Sequence, residues 1–265
     1  MSAPREERFF LYIDILGFRD LIKSGYDIQS IYDIIDELPA HGTTDFRCMI
    51  FSDTVIVFTD HDEWAKRPIE ALMWLTEYAQ FLFYRLISSD VHIRAFITKG
   101  FFRYKKLRHF ESYYGDALVE CYEREKSIKC TGVFLDAKLA PYCKFFDLTQ
   151  YDARTYYVHV MQHLRDAQAQ YRDYPLSGVP LESTGMYWWT AYMLRYLENT
   201  YRHAENLKLS GEVRQKHQNA WRVISKKYPG LTRKLIDTNF DFHQIINLDW
   251  TEPMRRIGTP EGAWG

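Results

Sequence analysis

The chain predicts an α+β fold: a βαββαβ core with extra strands, followed by a helical C-terminal extension. Three features point there. Short apolar runs bounded by polar or glycine breaks alternate with amphipathic stretches. Two such runs are separated only by Ser52-Asp53, which is hairpin spacing. Past about residue 165 the strand-like runs stop and helical patterns carrying tryptophan take over. The expected division is a core over 6–165 and an extension over 166–265 packed on it.

Each element has its own warrant. Arg8-Phe-Phe-Leu-Tyr-Ile-Asp14 is apolar on both faces and closes on an acid, the pattern of a buried central strand. Leu21, Ile22, Ile28, Ile31, Ile34 and Ile35 recur at roughly helical spacing up to Leu38, with Pro39 and Gly42 as breakers. Phe46–Phe51 and Thr54–Phe58 form the two arms of the hairpin. Pro68 to Ile87 is an amphipathic helix through Leu72, Leu75, Ala79, Leu82, Phe83 and Leu86. Val91–Thr98 is a strand ending at Gly100, and Phe101 to Phe110 a hairpin arm with a basic cluster. Asp116 to about Lys126 is a helix, Gly132–Leu135 a strand, and Asp136 the cap of a following helix. Tyr156–Val160 is a further strand. The first six elements match the ferredoxin-like split unit. Gly185 to Asn206 and Gly211 to Tyr228 are the helices of the extension.

Composition excludes several classes. Lys+Arg is 34 and Asp+Glu 35, a net charge of −1, against the basic excess of a protein held to nucleic acid or anionic lipid. No run approaches the ~20 apolar residues of a membrane span, and Phe9–Ile15 is too short for a signal-peptide core. A cytoplasmic protein without a membrane partner is expected. The 4 cysteines do not make a disulfide framework. Cys130 and Cys143 stand too far apart to join His159 and His163 in a zinc knuckle. Aromatic residues reach 17%, and Trp188, Trp189, Trp221, Trp250 and Trp264 all fall beyond the core. That bias suits a packing or dimer-supporting layer.

Two carboxylates carry the chemistry. Asp14 ends the first strand and Asp53 sits at the hairpin tip. In a split βαβ sheet the first strand lies beside that hairpin, so both acids come to one edge. Neighbouring unpaired carboxylates repel and resist desolvation. A divalent cation relieves both, and a few hard oxygen ligands plus substrate phosphates describe Mg²⁺ or Mn²⁺. Two ions on two aspartates suit in-line phosphoryl chemistry. The Ile15-Leu16-Gly17-Phe18 turn, at a helix start, offers backbone N–H groups to a triphosphate. Singly, Asp14 reads as an N-cap and Asp53 as a turn residue; together they read as a site.

These residues resemble a family. Phe10-Leu-Tyr-Ile-Asp-Ile-Leu-Gly-Phe18 is similar to the first metal motif of class III nucleotide cyclases. Phe51-Ser-Asp-Thr-Val-Ile-Val-Phe58 resembles their second, with Ser-Asp where Gly-Asp is usual. His92–Gly100 resembles the following strand, and Tyr114–Arg124 the Gly-x-x-Val-Asn-x-Ala-x-Arg helix. The resemblance covers about residues 8 to 160. Its transition-state Asn falls on Val119 and its Arg on Glu123; its adenine-reading Lys falls on Met49 and the matching Asp on Ser112. The metal half is kept and the purine-reading half is not. A site that loses its polar base readers loses discrimination of order 10⁴-fold.

The Ser-Asp-Thr hairpin, the Gly-x-Ala-Leu helix with Glu for Arg, and the absence of a visible sensor domain resemble the bacterial pyrimidine cyclases of Pycsar antiphage systems. That resemblance implies UTP or CTP cyclised to the 3′,5′-cyclic nucleotide, with two Mn²⁺ or Mg²⁺ ions per site. The ions would be held by Asp14, Asp53 and the Ile15 carbonyl. It also implies a homodimer with shared sites and a separate effector that reads the cyclic nucleotide in antiphage defence. Candidate cations for the phosphates are Arg94, Lys99, Arg103 and Lys105; Phe46, Arg47 and Met49 are candidates for the base. UTP is favoured because neither Asn nor Gln stands at those base positions. The competing readings are a catalytically silent nucleotide-binding module, a purine cyclase, and a nucleic-acid binder using Arg103–His109, which the neutral charge disfavours.

Overall fold

The computed structural model describes residues 6–38, 45–184 and 187–257. The chain divides into two compact units. The first holds Met1–Leu82, His92–Ile128 and Gly132–Val160; the second holds Phe83–Val91, Lys129–Thr131 and Met161–Gly265. Pro39, Gly42, Gly185 and Trp264 lie outside the described residues.

The first unit opens with β1 (Glu7–Ile15), α1 (Phe18–Ser24) and α2 (Ile28–Asp36). The hairpin β2 (Phe46–Phe51) and β3 (Thr54–Thr59) follows, then α3 (Pro68–Ile87), whose last residues count with the second unit. Next come β4 (Ile93–Phe101), β5 (Arg103–Lys106), β6 (Glu111–Tyr114), α4 (Asp116–Ser127), β7 (Gly132–Asp136), β8 (Asp147–Asp152) and β9 (Thr155–His159). Seven strands form one sheet in the order β2-β3-β1-β4-β7-β9-β8, and β5 pairs with β6 in a separate arm.

The first four strands are mutually antiparallel in the order 2-3-1-4, the ferredoxin-like arrangement expected from the element order. β7 adds parallel to β4 across α4, the connection a parallel pair requires. β1 is central because it is apolar on both faces: Phe9, Phe10, Leu11 and Ile13 are fully buried. On one face Cys48 of β2 meets Tyr78 of α3. The other face is covered over β4 by α4, whose buried residues are Ala117, Cys121 and Arg124. Phe10, Phe58 and Phe102 close a ring cluster beside it, with centroids 4.7–4.8 Å apart around Phe102. Gly115 starts α4 against the chain after β4, where any Cβ would lie 2.1 Å from the Phe101 carbonyl oxygen.

Two local readings change. Asp136 does accept from the Lys138 N–H (3.0 Å), but what it caps is a 3₁₀ turn, Ala137–Tyr142, which Pro141 keeps from becoming an α-helix. The polar stretch Asp147–Asp152 is a strand, β8, held by pairing with β9 rather than by an apolar pattern.

The second unit contains α5 (Leu164–Ala169), β10 (Leu176–Ser177), α6 (Val179–Thr184), α7 (Tyr187–Glu205), α8 (Gly211–Lys227), α9 (Pro229–Asp237), β11 (Ile246–Asn247) and α10 (Thr251–Ile257). Ser210 caps α8 by accepting from the Val213 N–H (3.3 Å). Its aromatics pack on one another: Trp221 on Tyr201, Trp189 on Tyr84, Tyr196 on Phe83. Among the described residues no helix is long and apolar enough to cross a membrane.

Candidate metal and nucleotide site

The register of β1 against β3 builds the site. Asp14 stands opposite Thr54, and the Ile15 N–H donates to the Asp53 carbonyl (2.8 Å). Asp14 and Asp53 thus lie side by side at one end of adjacent strands. In a strand a residue's N–H and C=O point the same way, so the Ile15 carbonyl also faces the Asp53 turn. Ser52 makes the tight reversal with φ 55°, the left-handed conformation glycine adopts freely. Tyr12, on the same face as Asp14, exchanges a 3.3 Å hydrogen bond with the Thr54 hydroxyl and ties the two strands beside the acids.

The strongest electrostatic feature is a cation among carboxylates. Arg94 of β4 faces Asp14 in register and is 4% exposed. Its Nη2 donates to Asp14 Oδ2 at 2.7 Å and also to Glu125 of α4; its Nη1 donates to the Ile128 carbonyl at 2.8 Å. Burial pushes the Asp14 carboxyl above its ordinary pKa. Arg94 opposes that shift, while Glu125 and Asp53 add to it. Two acids therefore hold one guanidinium, Asp53 adds its charge beside Asp14, and negative charge is in surplus. That surplus, on hard oxygen donors with the Ile15 carbonyl beside them, fits a divalent cation such as Mg²⁺ or Mn²⁺.

Several expected roles change. Arg94 is not an open phosphate cation, because three acceptors hold its guanidinium. Lys99 pairs with Glu7 (2.9 Å) and faces Phe9, five residues along β4 from Arg94, about 17 Å away at strand rise. Arg103 lies near Glu6 (3.8 Å), and Lys105 pairs with Ser112 in the β5–β6 arm. The Ile15 and Leu16 N–H groups do not serve a phosphate: they donate to Asp53 and to His92. Gly17 (φ 75°) and Phe18 remain at the start of α1, with the Phe18 ring buried.

Nor does one chain bring the base candidates to the acids. Phe46 pairs with Thr59, at the opposite end of the hairpin from Asp53, where its ring meets Trp64 (5.0 Å). Arg47 is held by Asp60 (2.7 Å) and lies over the Tyr104 ring. Met49 is half-buried opposite Ile56, on the Arg47 face and nearer the turn. On α4, Val119 is 56% exposed and Glu123 is exposed. Arg124, one place further on, points inward to Asp152 (3.1 Å) and Thr155.

Glu125 is the site residue that sequence reasoning missed. The signal was Arg94 itself: an arginine in the apolar run Val91–Ile97 is almost never buried without paired acids.

No protein-family model and no curated protein matches the chain. Among solved structures it is similar to a bacterial light-regulated adenylyl cyclase (11% identity, TM-score 0.44), covering 58% of this chain and 52% of that one. It is also similar to the guanylyl cyclase domain of the RhoGC fusion protein of the aquatic fungus Blastocladiella emersonii (13%, TM-score 0.43, 58% and 96% covered). A third is the adenylyl cyclase CyaB from P. aeruginosa (12%, TM-score 0.41, 60% and 96%). The chain thus spans about half the length of the light-regulated cyclase. Overlaps this partial say nothing of substrate, which has to be read from the side chains.

Proposed function

We propose that this chain is a divalent-metal-dependent nucleotide cyclase acting on a pyrimidine triphosphate, UTP before CTP. One observation carries the reading: Asp14 and Asp53 meet across the β1–β3 register, and Asp14 is desolvated enough for its proton affinity to rise. The sequence motifs around both acids support the reaction class, and Met49 and Ser112 at the purine-reading positions support a pyrimidine.

Asp14, Asp53 and the Ile15 carbonyl would hold two cations. Bound there, Mn²⁺ or Mg²⁺ would supply Lewis acidity toward the ribose 3′-hydroxyl and neutralise the triphosphate. The chain contributes position. The hairpin turn fixes Asp53, the β1–β3 ladder fixes Ile15, and Arg94 fixes the Asp14 carboxylate. The 3′-oxygen then attacks the α-phosphorus in line: the O3′–Pα bond forms, pyrophosphate leaves, and the hydroxyl proton passes to solvent.

The resemblance implies a homodimer with shared sites, and the placement of Phe46 and Arg47 at the far end of the hairpin from Asp53, against Trp64 and Asp60, supports base contacts supplied by a second copy. Phe51 at the hairpin tip (83% exposed) and Val119 and Tyr122 on α4 are exposed apolar residues of the kind a second copy would cover. Mixing Asp53→Ala with Arg47→Ala protein then restores about a quarter of wild-type activity, since half the dimers carry one intact site of two. A mixture as inactive as its parts removes the shared-site reading.

The motifs also support a signalling role in antiphage defence, with a separate effector reading the cyclic product. The decisive test incubates the protein with each of the four ribonucleoside triphosphates and Mn²⁺ and identifies the product by mass. Cyclic UMP with pyrophosphate is expected. A purine product would move the substrate class, and no product from any triphosphate would leave a silent nucleotide-binding module.

A further inference from the structure

We infer that Glu125 is a positioning residue for the metal site: it shares the Arg94 guanidinium with Asp14 and so keeps Asp14 available to a cation. This rests on the metal reading given above.

Arg94 is nine-tenths buried and cannot be released to water without large cost. Its Nη2 nevertheless faces two carboxylates at once, one on β1 and one on α4. Asp14 is needed as a cation ligand, and a guanidinium wholly committed to it would compete for the same lone pairs. Glu125 gives the same Nη2 a second acceptor, from α4. As a cation draws on Asp14, the guanidinium retains Glu125 and the Ile128 carbonyl, so no buried positive charge is left unpaired. Glu125 also keeps the cluster's charge negative. Both effects point the same way: without the Glu125 charge, Arg94 turns wholly to Asp14 and cation affinity falls.

The test is direct Mn²⁺ titration by calorimetry on the full chain, with the thermal midpoint recorded for every variant. Glu125→Gln keeps the shape and removes the charge; Mn²⁺ affinity should fall about tenfold, the usual scale for groups that orient metal ligands. The double variant Arg94→Gln/Glu125→Gln removes the competing cation and should return affinity to within about threefold of wild type. A merely structural Glu125 would lower the thermal midpoint and leave Mn²⁺ affinity unchanged, and that result overturns the inference. A double variant as weak as Glu125→Gln also overturns it, because Glu125 would then be a ligand itself. Should the double variant not fold, Arg94→Lys/Glu125→Gln replaces it, with partial recovery expected from the weaker, non-bidentate cation. The metal reading fails separately: wild type then shows no Mn²⁺ binding, or Asp14→Asn binds as wild type does.

Discussion

Arg94 and Arg124 are both buried in the first unit, and both reach carboxylates, yet their surroundings differ in a way that separates a site from a brace. Arg124 meets Asp152, the Thr155 hydroxyl and the face of Phe96. Its charge is matched by one acid that is 40% exposed. Arg94 meets Asp14 and Glu125, with Asp53 close enough to raise the Asp14 pKa further. Its charge is outnumbered. A balanced buried pair ties elements together; an unbalanced one stays costly until another cation arrives. The two arginines lie on structurally adjacent elements, so charge balance and not burial marks the candidate site.

The largest expected effect tests that distinction through activity. Asp14→Ala and Asp53→Ala should each cut the proposed cyclase turnover by about three orders of magnitude, the scale of several kcal/mol of charge stabilisation. Asp152→Ala, at the balanced pair, should leave turnover within about threefold of wild type. Comparable losses in all three would erase the contrast.

Stability should show the reverse order. Arg124→Gln should lower unfolding free energy by about 2 kcal/mol in a denaturant titration, less than a fully buried pair because solvent screens Asp152. If Arg124→Gln unfolds at the wild-type midpoint, the pair is no brace.

A pH series sharpens the comparison further. Asp14 has a folded-state pKa above its ordinary 3.8. The stability it contributes is fully present below about pH 3.8 and is lost as pH rises through the higher folded value. In metal-free protein, Asp14→Asn should therefore compare more favourably with wild type at pH 7 than at pH 4, read from thermal midpoints. A midpoint difference that does not change with pH would mean that Arg94 fully offsets the burial.

The smallest effect lies in the turn between the two strands. Ser52→Gly should stabilise the protein by about 0.5 kcal/mol, the relieved left-handed strain less the added entropy of the unfolded chain. A loss of stability would mean that the Ser52 side chain holds the turn.

Much of this was legible before the structure. The apolar run ending in Asp14 and the two-residue break at Ser52-Asp53 fixed a central strand and a hairpin, because strand burial and turn length leave few alternatives. The sequence offers Arg94 only as one of four candidate cations for the phosphates, and does not show that it is held between Asp14 and Glu125. β8 was missed because its residues are polar and only pairing with β9 makes them a strand. The 3₁₀ turn after Asp136 was missed because a cap residue announces a start and not the kind of helix that follows.

What the sequence determined by itself is the strand order of the first four strands and the convergence of Asp14 and Asp53, since local pattern and connection rules leave few other arrangements. What only the tertiary structure decided is the partner set. Glu125 reaches Arg94 because α4 crosses the face of β4, and Phe46 and Arg47 sit at the far end because the hairpin runs antiparallel. Such neighbours are set by packing between distant segments, and single-chain spacing does not encode packing.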